Sequence, residues 1–395
     1  MKSQATLQFS KTPVLSRQSS GLPSFGVLST YPPTRCGLAT FSAALTHGLA
    51  ANGADVSVVR VADGSPTSHG RVIGELTNGS AASAAAAADL LSQSDVAVIQ
   101  HEYGIYGGPD GDQVVDIIGA LRVPSIVVAH TIPRHPTRRQ RSVLEAIVTL
   151  ADQVVVLSDA ANAQLRHGFD VDRRKISTIP HGATVPVHGY TKRSGPPTVL
   201  TWGLLGPGKG VERVIDAMGE LHHLNSRPRY LIAGETHPKV FAADGEAYRN
   251  ARIEQARRIG VADAVRFDAS YRDVPSLIAL MLSAAVVVLP YDSTDQTTSG
   301  VLVDTIATGR PVVATAFPHA VDLLSTGAGI VVPHDDPDAL RTALRSVLTQ
   351  PRLAGAMSAE ARRLAPAMSW PITARSYQAL AQRILTKRPE RTWLP

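Results

Sequence analysis

At 395 residues the chain is long enough for two domains, each with a full hydrophobic core. A composition 44% apolar and 18% charged fits an ordinary α/β protein, and a single cysteine, Cys36, excludes an intrachain disulfide and fits a reducing cytoplasm. The net charge of +6 favours anionic ligands or peripheral contact with an anionic membrane, but the basic residues are too dispersed for a nucleic-acid face, and no apolar run approaches a membrane span.

Residues 1–23 carry Lys2, Lys11 and Arg17, no acid, and no apolar run of the signal-peptide kind; they read as a disordered lead-in. From Ser24 the pattern alternates. Strands are expected at 24–30, 55–60, 96–100, 125–129, 154–157 and 176–179, with a helix over 38–50. The stretch 180–197, rich in proline and glycine, interrupts the alternation and reads as a linker. Strands then resume at 198–202, 230–233, 265–267, 284–289, from 311 and at 329–332. Helices are expected from 211 and over 246–259, 277–283, 301–308, 338–348, 354–364 and 372–385. Such alternation implies two doubly wound parallel sheets, in domains assigned to 24–185 and 195–365, with 366–395 as a helix and tail packing back toward the first. Ligands of such sheets bind beyond the carboxyl ends of the strands.

Several unusual loops fall at that edge. Thr297, Thr298, Ser299 and Gly300 precede a short helix that opens with Val301 and stops at Gly309; small hydroxylated residues there leave backbone N–H groups free to hold an anion. Gln296 and Asp304, eight residues apart, flank that cradle and are suited to gripping ligand hydroxyls. The loop from Gly203 through Gly208 to Lys209 and Gly210 follows a strand and opens a helix. It matches most of a P-loop, with Gly210 where the Mg²⁺-binding hydroxyl belongs. A lysine at a helix N-terminus opposes the helix dipole, so a ligand phosphate explains it better than solvent does. In the first half, His130 ends a buried strand; it is a ligand to a sugar hydroxyl or a core histidine bonded to backbone. Gly37 closes the rigid loop from Tyr31, and Gln100-His101-Glu102-Tyr103 ends another strand. Asp336-Pro337-Asp338 spells a metal motif but precedes a helix, where aspartate is a common cap, and no His/Cys spacing suggests zinc.

Taken together these motifs resemble the retaining glycosyltransferases of family 4, which have the GT-B fold: two Rossmann-like domains facing a cleft. The resemblance extends from Ser24 to about Leu385. The family signature is two glutamates separated by seven residues; Gln296 and Asp304 stand there. Its glycine loop reads G-R-x(5)-K-G; Lys209 matches the lysine, but Leu204 and Leu205 occupy the place of the arginine and the loop is one residue shorter. The first loop resembles Y-P-P-x-x-C-G-I-A-T-F, and 100–108, 235–238 and 245–249 recur in a subset of members.

The resemblance implies a hexose moved from a UDP-, GDP- or ADP-sugar to a carbohydrate or other hydroxyl acceptor, with retained configuration and neither metal nor cofactor. It implies catalytic roles for His130, Lys209, Gln296 and Asp304. Donor contacts would come from Gly37, Gly203, Gly208, Thr298, Ser299, Gly300 and Val301, with Phe267 bordering the base. Arg35, His101, Glu102 and Tyr103 would face the acceptor. With both the arginine and the first glutamate replaced, a nucleotide-sugar-binding protein without turnover and a P-loop-like NTPase remain as rival readings.

Overall fold

Short, unbroken apolar runs such as VVVL and VVAT suit strands covered on both faces, and such strands belong to parallel sheets. The structure, a computed structural model, describes residues 21–66, 69–187 and 195–387. Most of the expected lead-in (1–20), the linker residues 188–194 and the tail 388–395 lie outside the described residues. The first sheet comprises β1 (Phe25–Ser29), β2 (Val56–Val61), β3 (Val72–Leu76), β4 (Val96–His101), β5 (Ser125–Ala129), β6 (Gln153–Val156) and β7 (Ile176–Thr178). The second comprises β8 (Thr198–Trp202), β9 (Arg229–Ala233), β10 (Val265–Asp268), β11 (Val286–Leu289), β12 (Val312–Thr315) and β13 (Gly329–Val332). Every pairing is parallel, in the orders β3-β2-β1-β4-β5-β6-β7 and β10-β9-β8-β11-β12-β13.

Both orders reverse direction beside their first strand, between β1 and β4 and between β8 and β11. Helices leaving those neighbours depart to opposite faces, so a crevice opens between the loops. The loops singled out above follow these four strands, with His130 following the adjacent β5. Among the elements not anticipated from the sequence, three bear on how weak local patterns hide structure. β3 is an edge strand of sequence VIGEL, partly exposed and therefore without an apolar run. The helices Pro238–Asp244 and Pro318–Leu324 span seven residues each, too few to declare a period.

The helix Trp370–Lys387 crosses back to the first domain. Trp370, Ala374, Tyr377 and Ala381 join one buried cluster with Phe41, Leu45 and Leu49 of the helix Gly37–Ala51. The chain is pinned at this crossing: the Ala183 N–H donates to the Met368 carbonyl at 2.7 Å. Gly48 lets the two helices meet, since a Cβ there would lie 2.9 Å from the Trp370 carbonyl oxygen. We predict that Gly48→Val destabilises the protein by about 1–3 kcal/mol, as overpacking does; urea denaturation followed by tryptophan fluorescence measures it.

Candidate active site

A cavity of about 530 Å³ lies between the carboxyl edges of the two sheets. The first domain contributes Arg35, Gly37, Phe41 and His130, the start of the linker contributes His181, and the second domain contributes Gly203, Lys209, Thr298, Gly300, Val301 and Asp304.

The loop expected to cradle an anion folds as its residue types dictate. Ser299 caps the helix Gly300–Ala307, its Oγ accepting from the Leu302 N–H at 3.3 Å. The Ser299 N–H donates to Nδ1 of buried His319 at 2.9 Å, which fixes the loop from behind. The N–H groups of Gly300 and Val301 have no partner among the described residues, and both residues line the cavity. Gly300 lets the loop pack closely on His181: a Cβ would lie 3.0 Å from its Nε2, so the ring would have to shift. Thr298 Oγ1, closed off from solvent, has no hydrogen-bond partner either.

Lys209 reaches the cavity from the loop after β8. It is half-buried rather than the solvated helix-end lysine of the simplest expectation, and its Nζ lies 4.4 Å from the Tyr291 ring centroid. Burial holds its pKa below the ordinary lysine value. Among the described residues no carboxylate pairs with it, so its charge is available to a ligand. Gly210, at φ +64°, packs so closely that a Cβ would lie 1.7 Å from the Pro290 carbonyl oxygen. No serine or threonine fits that position. Asp292, which follows an apolar strand as the second motif of a P-loop NTPase does, is tied to Arg213. The loop thus lacks the Mg²⁺-binding hydroxyl of a P-loop and has no room for one.

Asp304 projects into the cavity without a hydrogen-bond partner among the described residues, and burial lifts its carboxyl to about 7. His130 also lines the cavity, but its Nε2 donates to Gln100 Oε1 at 2.7 Å. Burial, then the charges of His181 and His101, push it down to about 3, so the ring is neutral. Arg35 spans the cleft: its guanidinium lies 3.6 Å from Glu235 and 4.9 Å from the Tyr271 ring centroid. A Cβ on Gly37 would meet nothing within 4 Å, which leaves the start of its helix open toward the cavity.

Other expected site residues sit behind the wall. Gln296 does not line the cavity; its Nε2 donates to the Thr298 carbonyl at 3.0 Å, so the amide braces the cradle. Gly208 shapes the lysine loop at φ +86° without facing the ligand space. Phe267 packs against the second-domain core, and the next turn, Tyr271 and Arg272, borders the cavity instead. His101 belongs to β4 and is fully buried, its ring nitrogens unpartnered, so it cannot face an acceptor. Glu102 accepts from the Thr131 hydroxyl at 2.6 Å, and the Tyr103 hydroxyl donates to the Gln140 carbonyl at 3.2 Å; both are engaged within the first domain and off the cavity. Asp336 is a helix cap, accepting from the Ala339 N–H at 2.8 Å.

His181, His319 and Arg272 did not stand out in the sequence, since each is a single polar residue in a loop or short helix; His237 lay within the recurring stretch 235–238 without a role of its own. The paired stretches 235–238 and 245–249 find their cause in Arg249. This buried guanidinium donates to the Gly234 carbonyl at 2.8 Å, to Thr236 Oγ1 at 3.3 Å and to Glu246 Oε2 at 3.0 Å, and so ties the two together. Among the described residues no three His, Cys, Asp or Glu side chains gather as a metal-binding group.

Two facing parallel α/β domains with a cavity between their carboxyl edges define the GT-B class. The chain belongs to the family 4 glycosyltransferases: the family model described as Glycosyltransferase Family 4 matches residues 36–185, and that described as Glycosyl transferases group 1 matches 196–350. It is 28% identical over 286 residues to a D-inositol 3-phosphate glycosyltransferase of Corynebacterium efficiens, covering 66% of this chain and 65% of the relative. It is 29% identical over 261 residues to glycogen synthase of Mycobacterium tuberculosis, covering 65% of this chain and 59% of the relative. In fold it is similar to Anabaena HepE in complex with UDP and glucose, with a TM-score of 0.73 at 15% identity, covering 91% of this chain and 100% of that one. A similar match, TM-score 0.72 at 19% identity, covers 92% of this chain and 100% of sucrose-phosphate synthase from Thermosynechococcus elongatus.

Asp304 gives the site a pH signature. Between its ordinary value of 3.8 and about 7, the folded chain keeps a proton that the unfolded chain has released, so this residue's contribution to stability falls as pH rises through that window. Asp304→Asn is expected to melt near wild type at pH 4 and above it by ~3 °C or more at pH 8 in the absence of ligand. Thermal melts across pH 4–8 decide this.

Proposed function

We propose that this chain is a retaining glycosyltransferase that moves a hexose from a nucleotide-diphosphate sugar to a hydroxyl acceptor. The observation that carries this reading is one cation, Lys209, and two N–H groups, of Gly300 and Val301, all without partners among the described residues, on the wall of one cavity. That set is complementary to a diphosphate. Asp304 would hold donor hydroxyls, and the first domain, with Arg35 at the cleft, would receive the acceptor. UDP is the first nucleotide to test, because HepE binds it in the same fold.

In the reaction, the acceptor oxygen bonds to the anomeric carbon on the face from which the diphosphate leaves. The carbon–oxygen bond to the diphosphate breaks, and the hydroxyl proton passes to a leaving phosphate oxygen. Lys209 and the cradle N–H groups carry the developing charge, without a metal ion or an enzyme nucleophile. The free thiol of Cys36 fits a reducing cytoplasm as the place of action.

A second reading has specific support. Gln296 is turned into the cradle, and Leu204 lines the cavity where the family carries arginine. A nucleotide-sugar-binding protein with little turnover would retain the cradle and lose these groups.

One variant tests the central assignment. Lys209→Ala is expected to lower turnover by ~10²-fold or more, while changing stability by less than about 1 kcal/mol, since it removes a cation that nothing neutralises. Product formation from UDP-, GDP- and ADP-glucose with a panel of hydroxyl acceptors measures the first, and melting temperature the second. Near-normal turnover in folded Lys209→Ala overturns the mechanism. Wild-type affinity without turnover selects the binding protein.

A further inference from the structure

We propose that His237 supplies the second electropositive contact to the leaving diphosphate, in the space left by the absent loop arginine. The inference rests on the reading of the cavity as a nucleotide-sugar site. Leu204 lines that cavity and Leu205 is buried, so no side chain at the usual place can meet a phosphate with charge or hydrogen bond.

The backbone brings a substitute from another loop. The Leu205 N–H donates to the Glu235 carbonyl at 2.8 Å, and the His237 N–H donates to the Leu205 carbonyl at 2.8 Å. This isolated parallel bridge, Leu205 with Thr236, lays the segment after β9 alongside the glycine loop. A Cβ added to Gly206 would lie 3.8 Å from His237 Cβ, so the imidazole springs from beside the loop that presents Lys209. Both side chains line the cavity.

The hydrogen bonds settle which nitrogen is available. His237 Nδ1 accepts the Lys239 N–H at 3.2 Å, capping the helix Pro238–Asp244. The ring proton therefore sits on Nε2, which has no partner among the described residues. Burial first, then the charges of Lys239 and Lys209, hold the imidazole below its ordinary pKa. His237 thus stands beside the loop of Lys209 on the wall of one cavity, as two ligands of one diphosphate require. A cap alone uses only Nδ1; the cavity-side N–H is left for the ligand.

The two roles separate by substitution. Asparagine caps helices well and can replace Nδ1 but not Nε2–H, whereas glutamine can place an amide N–H near Nε2. Calorimetric titration of the full chain with UDP, GDP and ADP, and with their nucleosides, reads the contact. For the nucleotide bound best, His237→Asn should weaken diphosphate binding ~10-fold or more, as loss of one charge-assisted hydrogen bond does. It should leave nucleoside affinity and melting temperature near wild type. His237→Gln should stay within about threefold of wild type. Adding Leu204→Arg to His237→Asn should recover most of the loss, because it restores a cation on the same wall. His237→Ser, also able to cap, reads the same loss should His237→Asn fold poorly.

Wild-type diphosphate affinity in His237→Asn or His237→Ser overturns the proposal, as does equal loss for nucleoside and diphosphate. Lys209→Ala separates the two levels of inference. If it weakens diphosphate binding and the His237 variants do not, the nucleotide-sugar reading stands and the His237 assignment falls. If neither does, or if wild type binds none of the three nucleotides, both fall.

Discussion

The Phe41 ring is the hinge pin of this architecture. Its centroid lies 4.7 Å from that of His130, 5.0 Å from that of His181 and 5.0 Å from that of Trp370, each in an edge-on arrangement. Those four rings belong to the helix after β1, the end of β5, the start of the linker and the first turn of the C-terminal helix. Edge-to-face contacts are individually modest, yet this group joins every segment that crosses between the domains. Gly182 shows how tight the joint is, since a Cβ there would lie 2.5 Å from the Trp370 ring. This packing anchors the start of the linker and the C-terminal helix on the first domain, and all four rings line the cavity. A direct bond reinforces it farther out, where the Ser158 hydroxyl donates to the Thr297 carbonyl at 2.5 Å.

Burial then sets the charge state of what the joint encloses. His130, His181 and His319 are pushed to between about 3 and about 4, so they are neutral at physiological pH and act as fixed dipoles. Asp304 is raised to about 7 and is half protonated near neutrality. Burial lowers the pKa of Lys209, which has no carboxylate partner among the described residues, and Arg35 and Arg272 share the cavity wall with it. The balance on the cavity wall is therefore positive, although histidines outnumber lysines there. A protein whose overall net charge is a modest +6 thus concentrates its attraction for anions at one enclosed place.

Much of this was legible in the sequence, for reasons that can be named. Unbroken Val/Ile/Leu runs such as 96–99 and 286–289 announce strands buried on both faces. Small polar residues before a helix announce a capped N-terminus with free backbone N–H groups, and Ser299 caps a helix whose Gly300 and Val301 N–H groups have no partner among the described residues. What the sequence withheld was orientation. Spacing places Gln296 eight residues before Asp304, but only coordinates reveal one amide turned toward backbone and one carboxylate turned toward the cavity. Periodicity likewise fails to separate His101, the last residue of a buried strand, from the loop residues that follow it. Partners distant in sequence, such as His319 behind Ser299, leave no local mark at all.

Arg249 carries a consequence for anyone recombining members of this family. Its buried guanidinium is satisfied by the carbonyl of Gly234, the hydroxyl of Thr236 and the carboxylate of Glu246, while Nη1 is already without a partner. The two stretches are thus one module in physical terms, although a loop and a helix separate them along the chain. A chimaera whose crossover falls between 238 and 245 would inherit either a stranded cation in a dry interior or a receptor for one that never arrives. Buried charges left without partners cost several kcal/mol, a large part of the stability of a single domain. Viable crossovers in this lobe are therefore confined to positions outside 234–249, and natural recombinants should exchange the whole segment or none of it.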